Sequence, residues 1–241
     1  MPYSEHPAVD TPESGDTILW RYMDFSKFVS LLEESSLFFP NVATLTDPFE
    51  GFLSRPTVQQ ITAVPEELDE SEAAKRKRIA EHNLSFFRTG RQLLYVSCWH
   101  ENTHESVAMW DLYLKSGEGV AIKTTLSRMK EAFADNPEQI HIGQVKYVDY
   151  EEDRIPFDNV LYLALHKRKS FEHEREVRAL IMNPSGAAGG LVSVSLNKLI
   201  ESVYVAPNAQ EWTHDLIKKV VHRYGYSWQV KHSGLESNPL Y

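Results

Sequence analysis

A single cysteine, Cys98, stands among 241 residues, which excludes an intrachain disulfide and a cysteine-rich zinc site. So little cysteine fits a reducing compartment, and the cytoplasm is the expected location. No apolar run approaches the roughly 20 residues that span a bilayer, and the first sixteen residues hold no hydrophobic stretch. Neither a membrane partner nor a secretory leader is expected. Basic side chains are also scarce: 25 Lys and Arg against 34 Asp and Glu leave a formal charge of -9. Counterion-release binding to nucleic acid is therefore not the default, although a local basic pocket stays open. With 11 Gly and 12 Pro, no repeat and no low-complexity tract, a fibrous or disordered chain is excluded. What is present, 42% hydrophobic and 24% charged residues, suits a globular α+β chain.

Residues 1–16 carry Pro, Ser, Glu and Asp without a period and read as a mobile tail, followed by a single domain over 17–241. Ile18–Met23 reads as a strand, and Phe25, Phe28, Val29 and Leu32 then recur at helical spacing. Leu37–Phe39, Leu93–Trp99, Gly119–Thr124, Glu176–Met182, Leu191–Leu196, Val203–Val205 and Trp228–Lys231 read as further strands. Helices are expected over Val107–Leu114, over Asp158–Ser170, and around a face of Leu216, Ile217, Val220, Val221 and Tyr224. Pro65 to about Arg88 is dense in Glu, Lys, Arg and Ala and predicts a solvated helical insertion, with Lys75–Arg78 on its exposed face.

His100-Glu101-Asn102-Thr103-His104 has the spelling of a zinc peptidase motif. That chemistry needs both imidazoles on one helix face. Here a strand ends at Trp99, and Asn102 with Glu105 has the pattern of a capping box that starts the helix later. No metal is expected.

Three segments put polar groups where strands should be apolar: Trp20-Arg21-Tyr22, Val96-Ser97-Cys98 and Glu174-Arg175-Glu176-Val177-Arg178. Strand alternation aims Glu174, Glu176 and Arg178 one way, with Val177, Ala179 and Ile181 behind. Two carboxylates so close resist joint ionisation unless a cation or ligand lies between them. An arginine on the first strand, a serine on a middle strand and Glu-x-Glu on a late strand resemble the signature of the ADP-ribosyltransferase superfamily. The serine departs from that pattern, being followed by Cys98 and Trp99 rather than Thr-Ser. Over more of the chain, Leu19–Tyr22, Thr46–Glu50, Val96–Trp99, Trp110 with Tyr113, Gly119–Ile122, and Phe171 with Glu174–Arg178 resemble a bacterial family known as domain of unknown function 2971.

The transferase resemblance implies mainly antiparallel sheets with flanking helices, NAD as substrate, and an unknown protein or nucleic-acid acceptor, or water. A bacterial toxin or defence effector would fit it. It implies that Glu176 stabilises the oxocarbenium-like ribose, that Glu174 orients or deprotonates the attacking group, and that Arg21 meets a phosphate or ribose. By the same resemblance Ser97 would hold Glu176, Tyr22 or Phe171 would stack on nicotinamide, and Arg178 would line the substrate. Asp47, Phe49 and Glu50 form either a rigid turn plugged by Phe49 or a substrate-lining loop. Trp110 and Tyr113, one helical turn apart, read as core. His166–Lys169 reads as a solvated helix end. Two other readings use the same residues: a binding module without turnover, and a nuclease with Asp47, Glu50, Glu174 and Glu176 as magnesium ligands.

Overall fold

The structure, a computed structural model, describes residues 3–114 and 118–236. Elements follow in chain order. β1 (Ile18–Asp24), α1 (Phe25–Glu34) and β2 (Ser36–Pro40) come first, then α2 (Arg55–Thr62) and α3 (Glu70–Gly90). β3 (Leu94–Glu101), α4 (Val107–Tyr113), β4 (Gly119–Thr125), α5 (Leu126–Ala132), β5 (His141–Gln144) and β6 (Lys146–Val148) form the middle. β7 (His166–Arg168), β8 (Glu176–Met182), β9 (Gly189–Ser193), α6 (Leu196–Leu199), β10 (Ser202–Val205), α7 (Glu211–Arg223) and β11 (Gln229–His232) complete it.

Seven strands form one sheet in the order β11-β10-β4-β1-β3-β8-β5, antiparallel except where β10 meets β11. The mixed α+β expectation, with a mainly antiparallel sheet and flanking helices, therefore holds. No described helix is long and apolar enough to cross a membrane. Alternation sorts each strand's side chains between the two faces. Leu19 and Met23 of β1, Tyr95 and Trp99 of β3, and Val177, Ala179 and Ile181 of β8 enter one large core with Phe28, Leu31 and Leu32 of α1 and Ile217 and Val221 of α7. The opposite face carries two smaller apolar groups. Trp20 and Tyr22 pack with Met109 and Trp110 of α4, whereas Leu94, Val96 and Leu180 pack with Ile61, Ala80, Phe87, Leu161, Leu163, Ala164 and Leu165.

One break in the sheet sets the site. β1 pairs with β4 over all seven residues but with β3 only at Leu19 to Glu101 and Trp20 to His100. Beyond those two pairs β1 and β3 part, and the sheet opens between them.

Three expectations are corrected. Residues 3–12 are packed rather than mobile: Ser4 N–H donates to Ile140 at 3.1 Å, Gln144 N–H donates to Asp10 at 2.8 Å, and Ala8 and Val9 are buried. The segment covers the otherwise open edge of β5, which is why it is ordered. Asp158–Ser170 is not a helix. Asn159 caps a short 3-10 turn over Val160–Ala164, and the chain then extends as β7 alongside β6. Leu161, Leu163, Ala164 and Leu165 are all buried, a density that an amphipathic helix with one wet face does not give. The helix after β3 starts at Val107, with Ser106 accepting from Met109 N–H, so Asn102 and Glu105 make no capping box. Glu105 instead binds Trp110 Nε1 at 3.1 Å, Ser233 Oγ at 2.7 Å and Gly234 N at 2.9 Å. The charged insertion is α3, capped by Asp69 and buried only at Ala80, Phe87 and Gly90.

Candidate active site

Where β1 and β3 separate lies a cavity of about 750 Å³. Its lining includes Arg21 and Trp99, which project with the large core, and Cys98, Glu176 and Arg178, which project from the other face. An unbroken sheet would keep these groups apart. The split brings Arg21 and Glu176, 155 positions apart in sequence, to one space.

On the β8 side the cavity floor is ionic. Lys167 Nζ stands 2.7 Å from Glu174 Oε2 and 2.7 Å from Glu176 Oε1. Arg178 Nε donates to Glu176 Oε2 at 2.7 Å, Nη1 to the Ala164 carbonyl at 2.9 Å, and Nη2 to Glu50. All five of these charged side chains are at most 7% exposed. Glu176 and Arg178 share a face by strand alternation, as predicted. Glu174 arrives differently, from a 3-10 turn whose last link, Arg175, adopts the left-handed conformation at φ 40. His100, buried on β3, bonds the Glu174 carbonyl through Nδ1 at 2.6 Å and fixes that turn.

The two carboxyls are driven apart in acidity. Burial, and then the adjoining Glu176, raise Glu174 to about 7 against the pull of Lys167. Burial also opposes ionisation of Glu176, but Arg178 and Lys167 outweigh it and hold this carboxyl well below its ordinary range. Lys167 stays charged for the converse reason: burial lowers it, while Glu176 and Glu50 raise it further. Opposed shifts in neighbouring carboxyls keep Glu176 an anion and let Glu174 change its protonation near neutrality. Cys98, pushed up by burial and then by Glu176, is a neutral thiol rather than a nucleophile. Tyr113 is likewise pushed up, first by burial and then by Cys98 and the two glutamates.

Most of the expected site residues meet here. Arg21, Tyr22, Asp47, Glu50, Phe171, Glu174, Glu176 and Arg178 all line the cavity. Ser97 does not. It lies on the face of β3 opposite Cys98, so it accepts from Arg21 Nη1 and from Trp99 Nε1 at 3.1 Å instead of reaching Glu176. With the Phe38 carbonyl 3.2 Å from Arg21 Nη2, it fixes the guanidinium at the cavity wall. Phe49 is also elsewhere, stacked under Arg168 at 4.5 Å and facing a separate pocket with Pro48, Phe52 and Val58. Asp47 and Glu50 anchor their turn inward: Asp47 takes Arg168 at 2.6 and 3.2 Å, and Glu50 takes Arg178.

Lys167 also lines the cavity, as a buried cation, and Arg168 beside it is a bidentate anchor for Asp47 outside the lining, so the two do not form a solvated helix end. Tyr113 lines the cavity, whereas its neighbour Trp110 is core as expected. The need for a cation between the two carboxylates was visible in the sequence, but which lysine supplies it was not. Asp47, Glu50, Glu174 and Glu176 each already face a protein cation, so a magnesium ion there would have to displace Lys167 or an arginine. His100 and His104 share no helix, since His100 lies within β3 and His104 bonds Thr103 on the surface.

No family model matches the chain, so membership of domain of unknown function 2971 stays a resemblance of motifs. No curated protein matches it. Solved structures similar to it include DarT of Thermus sp. 2.9 in complex with NAD+, at 9% identity and TM-score 0.44, covering 95% of this chain and 100% of that one. The same protein in complex with ADP-ribosylated ssDNA is at 9% identity and TM-score 0.44, covering 95% and 99%. Its complex with carba-NAD+ is at 8% identity and TM-score 0.42, covering 92% and 96%.

Proposed function

We propose that the chain cleaves the nicotinamide-ribose bond of NAD and passes ADP-ribose to a protein or nucleic-acid acceptor, or to water. One observation carries this reading: Arg21, Glu174 and Glu176 converge on a single cavity, in the chain order of the transferase signature, with the two carboxyls separated in acidity. As the bond breaks, nicotinamide leaves with the bonding pair and positive charge develops on the ribose. Glu176, held as an anion, lowers the energy of that charge. Its oxygens each hold one cationic donor and keep a second acceptor site for a ribose hydroxyl. The acceptor then bonds to the anomeric carbon and gives its proton to Glu174. Arg21, already aimed by Ser97, offers its remaining donors to a phosphate. Phe171, under Lys167 at 4.5 Å, and Tyr22 are the aromatic surfaces available to nicotinamide. No step calls for a metal.

Incubating the full chain with NAD should release nicotinamide, measured by chromatography. Arg21→Ala should weaken NAD binding at least about tenfold in calorimetry, the order expected for loss of a charge-assisted hydrogen bond. A folded chain that neither binds NAD nor releases nicotinamide overturns the proposal. One observation favours a second reading, a binding module without turnover: both Glu176 oxygens are already engaged by Lys167 and Arg178. It shares the Arg21→Ala result and differs by showing no nicotinamide release.

The acidity of Glu174 gives a pH test. Its ionised, proton-accepting form grows as pH rises through about 7, so the turnover rate should climb across that range and level off above it. In Glu174→Gln the inflection should vanish along with most of the rate. A profile flat from pH 6 to 8 in the unaltered chain would remove Glu174 from the proton-transfer role.

A further inference from the structure

A second group of chemistry-bearing side chains lies outside the cavity lining, where α7 returns beside the edge strand β11. Glu211 and His214 are three residues apart on α7 and so share a helix face. His232 ends β11 opposite them. One ligand atom from each lies within 4.8 Å of the other two. His232 Nε2 is 3.6 Å from the Glu211 carboxylate, and the two imidazoles lie face to face with centroids 3.9 Å apart.

The decisive detail is at His214. Its Nε2 is 3.3 Å from the Val230 carbonyl, while its Nδ1 is buried without a hydrogen-bond partner. A carbonyl only accepts, so Nε2 carries the hydrogen and Nδ1 keeps its lone pair. Histidines that bind metals are arranged this way, one nitrogen donating to a carbonyl and the other turned to the ion. A buried acceptor with nothing to accept is otherwise a cost to the fold.

We propose that Glu211, His214 and His232 form a site for zinc, which would tie the first turn of α7 to the end of the last strand. Two imidazoles and one carboxylate suit zinc better than magnesium or calcium, which take oxygen ligands. Three protein ligands leave a fourth position to solvent. Bonds of about 2.0–2.1 Å in a tetrahedron set ligand atoms roughly 3.4 Å apart. The three groups therefore close in by up to about 1.4 Å, and the His232 ring turns out of its stack to point a nitrogen at the ion. His232 is at the surface, with its side chain 40% exposed, so this turn disturbs no core.

The test is calorimetric titration of the untagged full chain with zinc chloride, together with cobalt substitution. One equivalent should bind, cobalt should give the intense visible absorption of a four-coordinate site, and zinc should raise the thermal midpoint. His232→Ala and His214→Ala should each weaken binding at least tenfold and abolish that rise. If His214→Ala fails to fold, the surface changes His232→Ala and Glu211→Gln carry the comparison. No stoichiometric binding, or binding undiminished by these changes because the other histidines take the ion, overturns the site. Nicotinamide release has no part in these readouts.

Discussion

Arg178→Met should destabilise the protein by about 3–5 kcal/mol, the range for breaking a buried ion pair from one side. Arg178 is 1% exposed and its guanidinium serves Glu176, Glu50 and the Ala164 carbonyl together. Methionine matches much of its volume but leaves two buried carboxylates short of a cation, so the loss comes from stranded charge rather than from a void. For a chain of this length the thermal midpoint should fall by about 6–20 °C. Arg178→Lys should recover part of it, since it restores the charge but cannot reach all three partners. Denaturant unfolding of the three proteins measures this. A loss below about 1 kcal/mol would mean that the cluster is hydrated rather than sealed.

Glu176→Gln should lower nicotinamide release by at least about 100-fold, the scale for deleting one preorganised group that meets charge developing in a transition state. Glutamine keeps the shape and one acceptor oxygen, while its amide nitrogen must face either Lys167 or Arg178. Some stability is lost as well, so the rate has to be read below the variant's own midpoint, with folding checked by circular dichroism. NAD affinity should change far less than the rate, because a group that acts mainly on the transition state contributes little to ground-state binding. Equal losses in affinity and rate would make Glu176 a binding residue instead.

Much of the scaffold was legible because β1, β3 and β8 carry strong strand composition, and alternation alone placed Val177, Ala179 and Ile181 behind Glu176 and Arg178. The convergence of Arg21 with the acidic pair was legible only as an order of motifs. The opening between β1 and β3 that produces it is a property of register, which no local window contains. Ser97, one residue from Cys98, falls on the other face of β3, where it holds Arg21. Lys167 was hidden by its neighbours, since the Leu- and Ala-rich stretch before it suggests a helix. Contacts with Glu174, Glu176 and Asp47, distant along the chain or across a turn, draw β7 out instead. The packing of residues 3–12 is hidden for a related reason. Nothing in their composition shows that a strand edge lies waiting for them.

Glu174, Lys167, Glu176, Arg178 and Glu50 alternate in sign from one end of their row to the other. Neutralising Glu174 leaves Lys167 to Glu176 alone, which loosens the claim of Arg178 on Glu176 and strengthens its hold on Glu50. A proton landing at one extremity should thus be felt in the Asp47–Glu50 turn at the other. Little salt penetrates so enclosed a row, and this conversation between acid and turn should persist at ionic strengths that silence the molecule's outer charges.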